Sequence, residues 1–476
     1  MSSSKRRFAM KGQRCLGQTV LLGLAITLVI PSTAMAGTLH PQLLATAGYG
    51  ITPPSLARTA NGTLHLVFET NTSWGNSANG VSALSISPSG QVGPLEQALN
   101  WNNSGGSPNG IPGLAVLPGG SLEATFGGSP SGVDGPWGIS SSNGGVTWSA
   151  PVNVGSGSMG FGDSYVPLAV SNGTPVLVAG CCGGIVIQQG FGTGAPTYQL
   201  TNSSDNAAGE TGLAVDAATG AAVAGWGSNA GSGGLWLQQA APTEGSAEKM
   251  PVPSQYGTGV SVILAGRDSG PGVFAAYPGN YATTTHMRLL RYGGGSVAVG
   301  SVKGLHANAW GVATGNDGRI WVIWSGEING KGIIAATRSN KAVTRFEPIQ
   351  RHASNWSSLF TLSGDGRLGP LDLLIGGLPA VKTGQAAGGI YYARILPELS
   401  DAVSVKDLGG GKFALKVKVT DAGDPVSGAT ASAQGHSHKT NPSGIAKITV
   451  SGSAGQHVTV TVTAPGYRPL KASIKL

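Results

Sequence analysis

Charge, aromatic side chains and cysteine are all scarce in this chain of 476 residues: 11% of it is Asp, Glu, Lys or Arg, 6% is Phe, Trp or Tyr, and three residues are Cys. So little charge beside 79 Gly and 28 Pro points to many turns and argues against a mainly helical fold. Long apolar runs are rare too. The one example, "TVLLGLAITLVI", follows Lys5, Arg6, Arg7, Lys11 and Arg14 and leads into "STAMA", with small residues at Ala34 and Ala36. A basic start, a short apolar stretch and a small-residue exit read as an export signal over residues 1–36. A run this short does not suit a membrane anchor, and no second one follows, so an extracellular product that does not span a membrane is expected.

The signal carries five of the 29 basic residues and none of the 21 acidic ones, so the formal charge falls from +8 to +3 without it. Residues 37–399 hold 15 basic and 17 acidic side chains, and residues 400–476 hold nine and four. With no basic stripe or aromatic-interleaved patch, a nucleic-acid partner is not expected. Cys15 falls inside the signal, which leaves the adjacent Cys181 and Cys182. They can close only a strained ring, and in an oxidising compartment a vicinal disulfide is expected of them, two small thiols after a strand being the alternative. A P-loop, a dinucleotide fingerprint and a nucleophile elbow are all missing. "GHSHK" offers His436 and His438 but no third ligand, so neither a metal nor a cofactor is expected.

What is present is a repeat. "PSLARTANGTLHLVFE", "PGLAVLPGGSLEATF", "VPLAVSNGTPVLVAG", "TGLAVDAATGAAVAGW", "VSVILAGRDSGPGVFAAY", "WGVATGNDGRIWVIW" and "SLFTLSGDGRLGPLDLLI" each place a Gly-containing turn between two short apolar strands. Their turn glycines, Gly62, Gly120, Gly173, Gly220, Gly270, Gly318 and Gly366, are spaced 47 to 58 residues apart. A second hairpin follows the first in each unit, and four strands at such a period make a propeller blade. The seventh unit lacks its fourth strand, while "TLHPQLLATAGYG" precedes the first unit. Residues 38–48 are therefore expected to complete the seventh blade and remove the open sheet edge. The fold expected is all-β: a propeller of seven blades, alternatively six, over residues 38–399, then a β-sandwich over 402–476.

The stretch "SSNGGVTW", Ser141 to Trp148, resembles the Asp-box (BNR-repeat) hairpin of sialidase-like propellers, with Asn143 where the family usually has Asp. Other units keep only its Gly or Ser. The tail resembles bacterial Ig-like and carboxypeptidase-regulatory-like sandwiches through "VTDAGDPVSGA" and "GIAKITV". The sialidase resemblance implies three arginines, one in an Arg-Ile-Pro stretch before the first blade, a Tyr/Glu pair and an Asp acid, on six blades. Here the matching stretch is "ITPPSLA", without Arg before Pro54, and Arg58 lies inside the first strand, so no catalytic residue is carried over.

Loops from second to third strands, and from each blade to the next, open on one propeller face. Trp74, Trp101, Trp226, Tyr277 and Tyr281 are placed there as platforms for sugar rings, with Glu69 and Glu327 as strand-end acids. Trp310 and Trp356, in the matching pieces "HANAW" and "HASNW", read instead as wedges between blades. The function expected is a secreted, non-catalytic, monomeric propeller binding a glycan or cell-surface ligand. A glycoside hydrolase or polysaccharide lyase, needing two carboxylates in one pocket, and a structural envelope or adhesion protein are the alternatives.

Overall fold

The computed structural model describes residues 39–46, 54–70, 79–101, 109–128, 135–155, 166–181, 184–200, 211–228, 234–252, 262–279, 285–354, 356–379 and 388–476. Seven antiparallel four-stranded sheets succeed one another along the chain. Their first strands are Ser55–Arg58, Asn109–Val116, Leu168–Ser171, Gly212–Val215, Leu264–Gly266, His306–Thr314 and Trp356–Asp365, and these define sheets 1 to 7. Each first strand contacts those of the sheets before and after it, and that of sheet 7 returns to that of sheet 1. The molecule is a β-propeller.

Sheet 7 takes strands from both ends of the ring. Trp356–Asp365, Leu371–Pro379 and Gly389–Ile395 are joined on the outside by Gln42–Thr46, which runs antiparallel to Gly389–Ile395 with Gln42 opposite Tyr392. The edge that Gly389–Ile395 would expose is thereby paired.

Composition follows position in the sheet. The second strand of sheet 6, Ile320–Ile328, is buried on both faces from Ile320 to Gly326, because neighbouring sheets cover it from both sides. A strand in that setting reads as a continuous apolar run, here "IWVIW", rather than as an alternation. One core cluster joins Phe274 and Leu289 of sheet 5 to Val322 and Trp324 of sheet 6, with Trp310 packed against it as the expected wedge. At the centre the first strands crowd together. A Cβ on Gly212 would stand 1.9 Å from the Val262 carbonyl oxygen, and one on Gly311 would stand 2.4 Å from that of Leu362. Any side chain at either position would push neighbouring sheets apart.

The turn Ser141–Trp148 joins Gly135–Ser141 to Val152–Asn153 in sheet 2. Asn143 Oδ1 accepts from the Thr147 amide at 3.0 Å, Ser141 Oγ accepts from the Gly145 amide at 2.9 Å, and Trp148 Nε1 donates to the Gly145 carbonyl at 3.1 Å. The turn is thus closed by side chains from within. Contrary to the expectation that other units keep only Gly or Ser, sheet 6 repeats half of this device. There Asn340 Oδ1 accepts from the Thr344 amide at 2.8 Å and Asn340 Nδ2 donates to Thr344 Oγ1 at 3.2 Å, as Asn143 does to Thr147. Arg345 stands where Trp148 would be, which hid the match.

Beyond residue 399 two sheets pack face to face. One contains Ser400–Gly409, Lys412–Asp421, Asp424–Pro425 and Ile445–Ser451; the other contains Thr430–Ala433, His436–Lys439, His457–Thr463 and Leu470–Lys475. Leu415, Val417 and Val419 from the first meet Ala431, Val460 and Val462 from the second in one core. This sandwich is fastened to sheet 6 by ions. Arg338, fully buried, donates to Glu347 Oε1 at 3.1 Å and Asp421 Oδ2 at 2.6 Å, and its guanidinium lies 5.5 Å from the Trp321 ring and 5.4 Å from that of Tyr467. Arg319 reaches Asp421 at 3.3 Å and Asp424 at 2.9 Å.

Candidate functional site

The ring of first strands encloses a cavity of about 430 Å³ lined from all seven sheets. Its upper mouth lies where the first strands begin, at Pro54, Pro167 and Thr211, and its lower end where they finish, at Arg58, Arg267 and Asp365. Leu56, Leu213 and Leu264 line the wall between. Thr211 Oγ1 and Ser363 Oγ, both buried, line it too and have no hydrogen-bond partner within the protein. Ser55, by contrast, donates across to the Pro112 carbonyl.

Arg58, at the lower end, is tied into an ionic cluster. Arg58 Nε donates to Asp365 Oδ1 at 2.6 Å, Nη2 to Asp372 Oδ2 at 2.7 Å and Nη1 to the Gly62 carbonyl at 2.7 Å. Asp372 Oδ1 also accepts from Arg394 Nε and Tyr392 Oη, each at 2.8 Å. Burial alone would lower the Arg58 pKa, but Asp365 and Asp372 outweigh it and raise it. Tyr392 is raised as well, by burial first and then by Asp372. This cluster latches sheet 7 to sheet 1 and engages all three nitrogens of the Arg58 guanidinium. Among the described residues the carboxylate that lines the cavity is Asp365, and it is held by Arg58 and by Arg367 at 3.4 Å.

The residues singled out in the sequence divide three ways. Trp226 and Tyr277 are corrections: they are 0% and 2% exposed, Trp226 packed with Val178 and Ile187 and Tyr277 with Leu237 and Val262, so neither presents a ring to solvent. Both sit in second strands, which neighbouring sheets cover on both faces, and not in the loops beyond them. Glu327 is exposed near the upper end of its strand, opposite His306 and Gly332. Glu69 occupies the corresponding end of Leu64–Thr70 in sheet 1, opposite Val81, Trp101 ends the fourth strand there, and Cys181 ends Thr174–Cys181. The side chains of Glu69, Trp101 and Cys181, and all of Trp74, Tyr281 and Cys182, lie outside the described residues.

Sequence reasoning passed over one titratable group, Glu123 on the second strand of sheet 2. It is 6% exposed, and burial pushes its carboxyl up to about 7. Gly138, on the neighbouring strand and opposite Thr125, makes room for it, since a Cβ there would stand 2.5 Å from Glu123 Oε1. A charged residue at an inward position of "SLEATF" was the available signal. Among the described residues no group of three or more His, Cys, Asp or Glu could hold a metal ion, and no helix is long and apolar enough to cross a membrane.

No family model and no curated protein matches the sequence. Solved structures with a similar fold include the NanB sialidase from Streptococcus pneumoniae, at 9% identity and a TM-score of 0.44 over 74% of this chain and 69% of that one. The polysaccharide lyase Uly1 is 10% identical with a TM-score of 0.45, covering 75% of this chain and 99% of its own. The α-L-arabinofuranosidase Arb93A from Fusarium graminearum is 11% identical with a TM-score of 0.39, covering 75% and 98%.

Proposed function

We propose that the chain is an exported, monomeric propeller that binds a neutral glycan end at the upper mouth of its cavity without cleaving it. Residues 1–36 act as the signal, residues 38–399 and 402–476 as two domains of Asp-box and Ig-like type, and Cys181 and Cys182 as an oxidised pair. The observation that carries this reading is the cavity itself. Its 430 Å³ falls in the range of small-ligand sites, and Leu, Val and Ala side chains from the seven sheets line it together with the hydroxyl residues Ser55, Thr211 and Thr314. Sugar hydroxyls both donate and accept, which suits such groups. Arg58 already serves Asp365, Asp372 and the Gly62 carbonyl, which favours a neutral sugar over a carboxylated one there.

The test is a glycan array run beside a panel of chromogenic glycosides. Binding without turnover is expected, falling at least about tenfold in Thr211→Val or Trp74→Ala while the melting temperature holds. Glu69 and Glu327, at matching strand ends of sheets 1 and 6, motivate the second reading of a hydrolase or lyase. Turnover that disappears in Glu69→Gln or Glu327→Gln would establish it in place of the first.

A further inference from the structure

The outer face of the sandwich sheet built from Ser400–Gly409, Lys412–Asp421 and Ile445–Ser451 carries charge of one sign. Along Lys412–Asp421 the residues Phe413, Leu415, Val417 and Val419 point into the core, so Lys412, Lys416 and Lys418 point outward and are exposed. Register then assembles rows across the three strands. Ser404, Lys416 and Lys447 form one, Ala402, Lys418 and Ile445 the next, and Lys406, Ala414 and Thr449 the row on the other side. Lys416 and Lys447 are thus directly opposite, a pairing of like charges that destabilises a sheet. The domain's acids do not offset them. Asp421 and Asp424 are held by Arg338 and Arg319, and Asp401 and Asp407 sit at the alternate positions of their strand, opposite Val419 and Phe413.

Edge protection does not explain the arrangement. Lysines that block edge-to-edge pairing sit on edge strands, whereas Lys416 and Lys418 are on the strand hydrogen-bonded on both sides. Nor does solubility, which interspersed charges of both signs would serve without the Lys416–Lys447 repulsion. A face of this kind fits an extended polyanion. It has no aromatic ring on which a nucleic-acid base could stack, and its large apolar members, the half-buried Ile445 and Leu408 at the strand end, form no continuous patch to enter a bilayer. It does interleave its lysines with the hydroxyls of Ser404, Thr420, Thr449 and Ser451. We infer that this lysine face is a second binding surface, independent of the propeller cavity, and that its ligand is an acidic polysaccharide laid across the strands.

The experiment compares binding of the full chain to polygalacturonate, to phosphatidylserine vesicles and to single-stranded DNA. The variants are Lys416→Gln/Lys418→Gln/Lys447→Gln, the matching triple to Arg, and Trp74→Ala. Expected is binding to polygalacturonate that weakens as NaCl rises from about 50 to about 500 mM. The Gln triple should weaken it by about tenfold or more, while the Arg triple and Trp74→Ala retain it. These lysines are exposed, so the Gln triple should melt no lower than the parent. Equal binding by the Gln triple, preference for vesicles or DNA, or no binding at the lower salt would each overturn the inference. Loss in Trp74→Ala alone would move the acidic ligand to the propeller and overturn it as well.

Discussion

Two buried ionic clusters hold this molecule together, and they differ in charge balance. The latch between sheets 7 and 1 sets Arg58, Arg394 and the more exposed Arg367 against Asp365 and Asp372, one cation more, with Tyr392 supplying a further donor. The clamp between sheet 6 and the sandwich sets Arg319 and Arg338 against Glu347, Asp421 and Asp424, one acid more. The surplus falls on Glu347. Burial raises its pKa well above the usual carboxylate range despite Arg338, whereas at Asp421 the pull of Arg338 and Arg319 outweighs burial and holds the pKa low. Tyr467, which donates to Asp421 at 2.7 Å, is pushed up to about 12 by burial and by that carboxylate. The clamp therefore holds best with one proton on Glu347.

The largest test of the contrast removes what the latch secures. Deleting residues 42–46 leaves the outer side of Gly389–Ile395 unpaired, and loss of cooperative unfolding, read by circular dichroism and calorimetry, is the expected result. Next come the arginines. Arg58→Met takes the buried cation from between Asp365 and Asp372, leaving them to Arg367 and to Arg394 with Tyr392, and should cost about 3 kcal/mol in urea denaturation. Arg338→Met should cost less, because Glu347 can stay protonated, and it should open the 396–399 connection to limited proteolysis before the propeller melts. Equal losses, or propeller melting first, would show that the clamp is no weaker than the latch.

Effects limited to part of the pH range come next. With its folded pKa raised, Glu347 adds no penalty below the ordinary carboxylate range and costs stability as pH climbs toward its folded pKa; Asp421, lowered, has the opposite sense and loses its contribution on acidification. Glu347→Gln should accordingly reduce the fall in clamp stability on the alkaline side, measured as protease resistance against pH. Glu123, away from both clusters, acts as a control. Its penalty grows from the carboxylate range to about pH 7 and persists above it, so Glu123→Gln should raise stability by on the order of 3 kcal/mol at pH 8 and leave it unchanged at pH 4. Lys447→Glu is the smallest, a gain of about 0.2–1 kcal/mol from replacing a like-charge pair by an opposite one.

The ring was legible because its cause is local. A turn glycine about every 50 residues and an apolar run on either side of it are properties of single segments, and the orphan strand at 38–48 could be matched to the unit that lacked one. The clusters were hidden because their members are far apart in sequence: Arg58 meets Asp372, and Arg338 meets Asp421, only after the sheets have docked. "LDLLI" and "AATRSN" hold the clue, a charge inside an apolar strand, which periodicity alone treats as noise. Trp226 and Tyr277 failed as site residues for a related reason. A strand buried on both faces has no outward side, so the last aromatic before a loop packs as core as readily as it faces a ligand.

The pairing of Gln42 with Tyr392 has a consequence for how the molecule is made. Some 350 residues separate the two, and relative to a contact about ten residues apart, closing so long a loop costs roughly 3 kcal/mol more in chain entropy. Six sheets can form by neighbouring hairpins as the chain emerges, but the seventh waits for strands from both ends. Until it forms, Gly389–Ile395 keeps an open edge that a second copy could occupy with its own Gln42–Thr46. Concentration during refolding should therefore decide between closed monomers and strand-exchanged dimers, which size-exclusion chromatography of samples refolded dilute and concentrated would separate.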